Sequence, residues 1–200
     1  MRLKILHDGQ RLRARLAIRL IGLTSRTKPD DIARIMLYRP GFFGRRYLQL
    51  MRAVMRGDAE WTPGERELLA AAVSQLNQCR FCAGIHCHIA SLASGQSLTP
   101  EDLADLPGIA PSAALRAAIT LLEKSISSEG DLSREDIAAA KDGGLSREAI
   151  YDALHVAFMF NVINRLADTF GAAFEGDEGR RRTAAGLYRM GYKVPSFFLN

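Results

Sequence analysis

The stretch Cys79-Arg-Phe-Cys82-Ala-Gly-Ile-His86 is the most informative part of this sequence. Two thiols lie three residues apart, and an imidazole follows four residues after the second thiol. In an α-helix these positions share one face, because they are spaced as i, i+3 and i+7. A helix start also favours a thiolate, since the helix dipole is positive there, so we expect a lowered thiol pKa. The pattern therefore indicates redox chemistry.

The composition of the 200 residues predicts one domain in a reducing cytoplasm. Apolar residues make up 48% of the chain, which is enough for a buried core without support from a metal or a disulfide. The three cysteines lie within nine residues, so none of them can close a long stabilising loop. We find no apolar run of the ~20 residues that span a bilayer and no secretory signal, so we expect a soluble, cytoplasmic protein.

The net charge of +5 is distributed unevenly. Residues 1–28 carry eight Lys or Arg against Asp8 alone, a net +7, whereas the rest of the chain carries −2. We predict a basic helical arm over 1–28 that packs on a neighbouring subunit. Contact of this arm with an anionic membrane, or a scaffold role for it, is the alternative. No nucleic-acid partner is expected, because aromatic interleaving and zinc-finger spacing are absent from the sequence.

The chain is rich in Ala and Leu and lacks alternating β-branched runs, which predicts an all-α fold. We place the domain at 29–175, followed by a C-terminal tail, 176–200, that packs on the domain or on a neighbouring subunit. Start and stop signals place helices over these ranges: 2–20, 30–38, 43–56, 63–76, 79–93, 112–127, from 133 onward, and 146–170. A loop is expected over 96–110.

The helices on either side of Asn77 are expected to form an antiparallel hairpin. Glu67 lies ten residues before this corner and His86 nine after it, so both lie ~14–15 Å from the turn at ~1.5 Å per residue. The carboxylate then orients the imidazole, which takes a proton from Cys82 one turn away. Cys82 attacks a peroxide oxygen and becomes a sulfenic acid, Cys79 condenses with it to a disulfide, and an external dithiol reduces that disulfide.

Glu67, eleven intervening residues and then Cys79-x-x-Cys82-x-x-x-His86 resemble the alkyl hydroperoxidase D-like family, which belongs to the carboxymuconolactone decarboxylase superfamily. The similarity covers roughly residues 33–173, and within the superfamily the sequence most resembles the peroxidase-related branch. Three further segments of the sequence also resemble this family: Glu65-Arg66-Glu67-Leu68, Ser74-Gln75-Leu76-Asn77-Gln78-Cys79 and Asn164-Arg165-Leu166-Ala167-Asp168.

The resemblance implies an all-helical bundle with the Cys-x-x-Cys motif at a helix N-terminus, assembled as a homo-oligomer, commonly a trimer or hexamer. It also implies reduction of a hydroperoxide substrate with an external thioredoxin-like or lipoyl-type dithiol, and we expect no bound cofactor. Cys82 would attack the peroxide, Cys79 would be proton donor and disulfide partner, and Glu67 and His86 would match the relay. Phe81 departs from the best-studied branch, which has a histidine at that position.

Two other functions stay open at this point. A zinc site would take the two motif thiols and the imidazole, with Glu67, Cys87 or His88 as the fourth ligand. Because all these ligands are local, the spacing differs from that of the usual structural zinc sites. A lactone decarboxylase of the same superfamily is the other alternative, but that branch does not need a dithiol. We expect Cys87 to be structural, because it lies about 100° around the helix from His86.

Overall fold

A computed structural model describes residues 1–25, 30–127, 131–174 and 176–193, and these residues contain helices and no strand. The predicted all-α class is therefore confirmed. The α-helices are α1 (Ile5–Asp8), α2 (Leu12–Ser25), α3 (Asp31–Tyr38), α4 (Arg45–Arg56), α5 (Pro63–Leu76), α6 (Arg80–Ser94), α7 (Ala113–Ile126), α8 (Arg134–Asp142), α9 (Arg147–Phe170) and α10 (Gly176–Met190). A π-helical turn at Pro40–Gly44 precedes α4, and a 3-10 turn at Pro100–Ala104 lies in the predicted loop. Within the described ranges, every helix is too short or too polar to cross a membrane.

Helices α5 and α6 form the expected hairpin, and their starts explain its position. The Thr62 hydroxyl accepts a hydrogen bond from the Glu65 amide at 3.3 Å, and the Glu65 carboxylate accepts one from the Thr62 amide at 2.9 Å. Pro63 occupies the first turn, where its missing N–H costs nothing. At the corner Gln78 adopts a positive φ of 59°, which turns the chain into α6 with Cys79 as the N-cap.

Helix α5 is the centre of the core. It packs against α4, α6, α7 and α9, and its alanines at 70–72 are fully buried. Small side chains at these positions let the neighbouring helices approach closely. Trp61, just before α5, donates its indole N–H to the Ala149 carbonyl at 2.8 Å and so ties α5 to α9. The long helix α9 ends, as predicted, at Gly171 in the left-handed region with φ 66°.

The N-terminal segment differs from the single helix predicted over 2–20. Helix α1 ends at Asp8 and α2 begins at Leu12, because Gln10 fixes a turn between them. Its side-chain amide donates to the Leu6 carbonyl at 2.7 Å and to the Arg34 carbonyl at 2.9 Å. Helix α2 then packs Ala14, Ala17 and Ile18 against Leu37 of α3, so the described part of the basic arm lies on the domain of its own chain.

The C-terminal segment is more ordered than the predicted tail. Residues 176–190 form α10, which packs on α6 through Ala184 and Leu187 against Ile85 and Ile89. Ion pairs one turn apart on α10, such as Arg182 with Glu178 at 2.6 Å, stabilise this charged helix. The structure does not describe the predicted boundary at 28/29, residue 175 or the end of the tail, 194–200. The domain limits therefore stay predictions.

The Thr62 capping box gives a stability test. Thr62→Ala removes one hydrogen-bond acceptor at the start of the central helix, and should lower the free energy of unfolding by about 1 kcal/mol in urea titrations. Thr120→Ala is the matched control, because Thr120 lies exposed within α7 and alanine favours a helix interior. A loss for Thr62→Ala no larger than for the control would show that this cap does not matter.

Candidate active site

The hairpin brings the predicted carboxylate and imidazole together inside the protein. Oε2 of Glu67 on α5 lies 2.7 Å from Nδ1 of His86 on α6. The Glu67 side chain has no exposed surface, and His86 is also buried, with its ring edge-on to Phe160 at 4.5 Å between centroids. The predicted contact between Glu67 and His86 is therefore present. Their catalytic roles stay a prediction.

Two further residues contact Glu67, and the sequence reasoning missed both. Nη2 of Arg56, in the last turn of α4, lies 2.5 Å from Oε1. The Tyr192 hydroxyl, beyond the end of α10, donates to both carboxylate oxygens at 2.9 and 3.1 Å. The Arg56 guanidinium also lies over the Tyr192 ring, 4.8 Å from its centroid. No sequence motif connects these residues to Glu67, because only the docking of α4 and of the C-terminal segment brings them near.

The partners of Glu67 decide its charge. Burial alone would raise the pKa of this carboxyl, but the hydrogen bond and charge of His86 and the charge of Arg56 together lower the pKa below its usual value of 4.5. Glu67 is therefore a carboxylate at neutral pH. Burial, and after it the charge of Glu67, raises the pKa of Tyr192 well above 10, so Tyr192 is a neutral phenol that donates.

Both motif thiols are buried at the start of α6. Cys79 is the N-cap and Cys82 lies in the first turn, and both are free thiols. The hydrogen bond with Cys79 raises the pKa of Cys82 well above 9, and burial raises it further. The expected fall in this thiol pKa is therefore wrong for Cys82, because the second sulfur and burial outweigh the helix dipole. Cys82 is neutral in the resting protein and needs a base to become a thiolate.

Cys82 and His86 line the same small cavity. Its volume is about 180 Å³, and its walls are mainly apolar or aromatic. The cavity lies among α2, α3, α4, α6, α9 and α10, and its lining residues include Tyr47, Met51, Phe81, Phe160, Ile163 and Tyr192. Phe81 occupies the position at which the best-studied branch of the alkyl hydroperoxidase D-like family has a histidine. Its ring also stacks on Phe174, with 4.1 Å between the ring centroids. This position therefore supplies an apolar wall beside Cys82.

Cys87 and His88 are not part of the cavity lining. Cys87 is fully buried, and burial together with Asp102 and Glu101 raises its pKa to about 11, which fits the structural role expected for it. Burial lowers the pKa of His88, and Arg180 adds to this effect. In the described ranges, no three His, Cys, Asp or Glu side chains converge as metal ligands do. This geometry gives the zinc alternative no support.

The charge of Glu67 predicts a pH dependence of stability. Its folded pKa lies below 4.5, so its contribution is fully present above that pH and is lost as the pH falls through the folded pKa. Glu67→Gln should lower the free energy of unfolding by about 3 kcal/mol at pH 7, because Arg56 loses its buried partner. The difference from wild type should shrink below pH ~4.5.

Urea titrations at several pH values measure this effect. Glu60→Gln is the control, because the Glu60 side chain is exposed. A difference between wild type and Glu67→Gln that stays constant down to pH 3 would contradict the assigned charge.

Comparison with known proteins agrees with this architecture. Residues 43–124 match the carboxymuconolactone decarboxylase family, while none of the curated proteins matches the chain. A peroxidase-related protein with an alkylhydroperoxidase AhpD core from Ralstonia eutropha JMP134 has a similar structure. Its TM-score is 0.72 at 22% identity, over 94% of this chain and 93% of that chain. A peroxidase-related protein from Silicibacter sp. TM1040 gives a TM-score of 0.70 at 18% identity, over 88% and 91%.

At these identities the two solved structures show a common fold. The family match lies over the segment that contains Glu67, both motif cysteines and His86. Residues 43–124 therefore match the carboxymuconolactone decarboxylase family, and the chain shares the fold of two peroxidase-related proteins, one of which has an alkylhydroperoxidase AhpD core.

Proposed function

We propose that this protein reduces organic hydroperoxides with the Cys79–Cys82 dithiol. The observation that carries the proposal is the buried, ionised Glu67, which holds His86 at the wall of the cavity into which Cys82 faces. A neutral thiol in an apolar cavity is a weak nucleophile, and an oriented imidazole is the group that activates it.

The reaction begins with proton transfer. When His86 is neutral, the Glu67 carboxylate accepts from its Nδ1–H, so Nε2 is the basic nitrogen and takes the Cys82 proton. The thiolate attacks one peroxide oxygen, the O–O bond breaks, and Cys82 becomes a sulfenic acid. The leaving alkoxide takes the proton back from His86 and departs as an alcohol.

The second half-reaction restores the dithiol. The Cys79 thiol attacks the sulfenic sulfur, the S–O bond breaks, and water and a disulfide form. An external dithiol, thioredoxin-like or lipoyl-type, then reduces this disulfide and is itself oxidised. The net reaction converts one hydroperoxide and one dithiol into alcohol, water and an external disulfide. Because Phe81 contributes no imidazole, the relay has a single histidine and we expect modest turnover.

The exposed apolar side chains support the further proposal of a homo-oligomer, a trimer or hexamer. Helix α2 exposes 73% of Leu12 and 77% of Leu23, and the π-helical turn exposes 81% of Phe42. Large exposed apolar side chains of this kind are expected where a neighbouring subunit covers them. The decarboxylase alternative would leave both thiols without a role, so we favour the peroxidase reaction.

Cysteine variants test the proposed reaction. With a hydroperoxide and dithiothreitol, Cys82→Ser should be inactive because the attacking thiol is lost. When it is treated with a hydroperoxide in the absence of any external thiol, Cys79→Ser should stop after one turnover as a sulfenic acid, which a dimedone-type probe detects by mass. Cys87→Ser is the matched control and should keep its activity. Equal activity of Cys82→Ser and wild type would contradict the mechanism, and so would stoichiometric zinc in freshly purified protein.

The cavity predicts which hydroperoxides react fastest. A dry cavity of about 150 Å³ holds a benzene ring, so a cavity of about 180 Å³ fits one ring with a hydroperoxide group. We expect kcat/KM for cumene hydroperoxide to exceed that for hydrogen peroxide by about tenfold or more, because the ring buries apolar surface.

Gly186 provides the matching variant. It lines the cavity, and a Cβ at this position would have no atom within 4 Å. Gly186→Leu should therefore fill part of the cavity. It should slow the reduction of cumene hydroperoxide more than the reduction of hydrogen peroxide. Equal slowing of both peroxides would contradict binding of the ring in this cavity.

A further inference from the structure

The chain makes an unusual turn to bring Tyr192 into the site. Helix α10 ends at Met190, and the next two residues, Gly191 and Tyr192, have positive φ values of 56° and 61°. The left-handed region costs a residue with a side chain about 1 kcal/mol or more. Tyr192 nevertheless adopts it and is only 9% exposed. A strained backbone at a buried polar residue points to a specific contact that compensates for the strain.

That contact is with the carboxylate rather than with the core in general. The Tyr192 hydroxyl bonds both oxygens of Glu67, and it lies 3.4 Å from Nδ1 of His86. Its ring contacts the Arg56 guanidinium. Tyr192 therefore touches both of the other described side chains that bond to Glu67, Arg56 and His86, and it reaches them from the C-terminal segment.

We propose that Tyr192 is a positioning residue that fixes the orientation of Glu67 and limits how strongly this carboxylate attracts the His86 proton. The inference rests on the proposed peroxidase function. Each hydrogen bond that a carboxylate accepts draws charge away from its other partners. Removal of the hydroxyl leaves more of the Glu67 charge on His86, so His86 holds its proton to higher pH and is a less available base.

Other titratable groups also face this region and are part of any pH profile. Arg56 and Tyr47 come from α4, Glu67 from α5, and Cys82 and His86 from α6. Asp30, before α3, and Arg182, from α10, also line the cavity. Of these, Arg56, Glu67 and His86 contact Tyr192 directly. We therefore expect that loss of the Tyr192 hydroxyl changes the pH dependence of activity through its effect on Glu67 and His86.

Tyr192→Phe tests the proposal, because it removes the hydroxyl and keeps the ring. We expect kcat with cumene hydroperoxide to fall about tenfold, with KM nearly unchanged, as for the loss of one hydrogen bond to a charged group. The acid limb of the activity–pH profile should move to higher pH. 3-Fluorotyrosine at position 192 is a stronger donor, so it should move this limb in the opposite direction.

Two controls separate positioning from a loss of stability. Tyr47→Phe removes another buried hydroxyl at the same cavity, one that donates to the Met159 carbonyl at 2.6 Å, so stability should fall without a shift of the acid limb. Tyr188→Phe alters a half-exposed tyrosine of α10 and should change nothing. An acid limb that stays in place for both position-192 variants, or that shifts equally for Tyr47→Phe, would overturn the proposal.

A readout without turnover separates this inference from the proposed function. 15N NMR of the histidine rings, with His86 assigned by loss of its signals in His86→Gln, follows the protonation of His86 directly. We expect Tyr192→Phe to move the His86 titration to higher pH even if wild type consumes no peroxide. An unchanged titration would overturn the role of Tyr192, whereas an inactive wild type would overturn the peroxidase proposal alone.

Discussion

The buried charge of Glu67 is the constraint on which the site depends. A carboxylate without solvent contact costs several kcal/mol unless charged or hydrogen-bonding partners surround it. Here the partners are Arg56 at the end of α4, His86 on α6 and Tyr192 beyond α10. Because they come from three separate segments, the charge is stable only when all three segments are docked on α5. The same contacts that stabilise the charge therefore assemble the site.

The electrostatics of the site separate the roles of its groups. Glu67 is held ionised, whereas Cys82 is held neutral by its neighbouring sulfur and by burial. A neutral thiol is protected from unselective oxidation, and in the proposed reaction the oriented imidazole takes its proton. The apolar cavity strengthens these interactions by excluding water. If the proposed reaction holds, the same cavity should favour a peroxide with an apolar substituent over a small polar one.

Much of the fold and part of the site followed from the sequence. Thr62, Pro63 and Glu65 mark the start of α5, and nearly equal distances from Asn77 place Glu67 opposite His86. Arg56 and Tyr192 were missed because their contacts depend on helix docking, not on local spacing. The Cys82 pKa was predicted wrongly because a motif shows helix position but not burial. Helix α10 was predicted only as a tail, because its many charged residues outnumber the apolar residues, such as Ala184 and Leu187, that pack on α6.

The most direct test is to identify which cysteines become oxidised when one equivalent of cumene hydroperoxide reacts with the reduced protein. Arg80 lies between the two motif thiols, so trypsin separates Cys79 from Cys82 unless a disulfide joins the peptides. After blocking of free thiols, mass spectrometry should find these peptides linked through Cys79 and Cys82, with Cys87 blocked. Oxidation at Cys87 alone, or full blocking of all three thiols, would contradict the account.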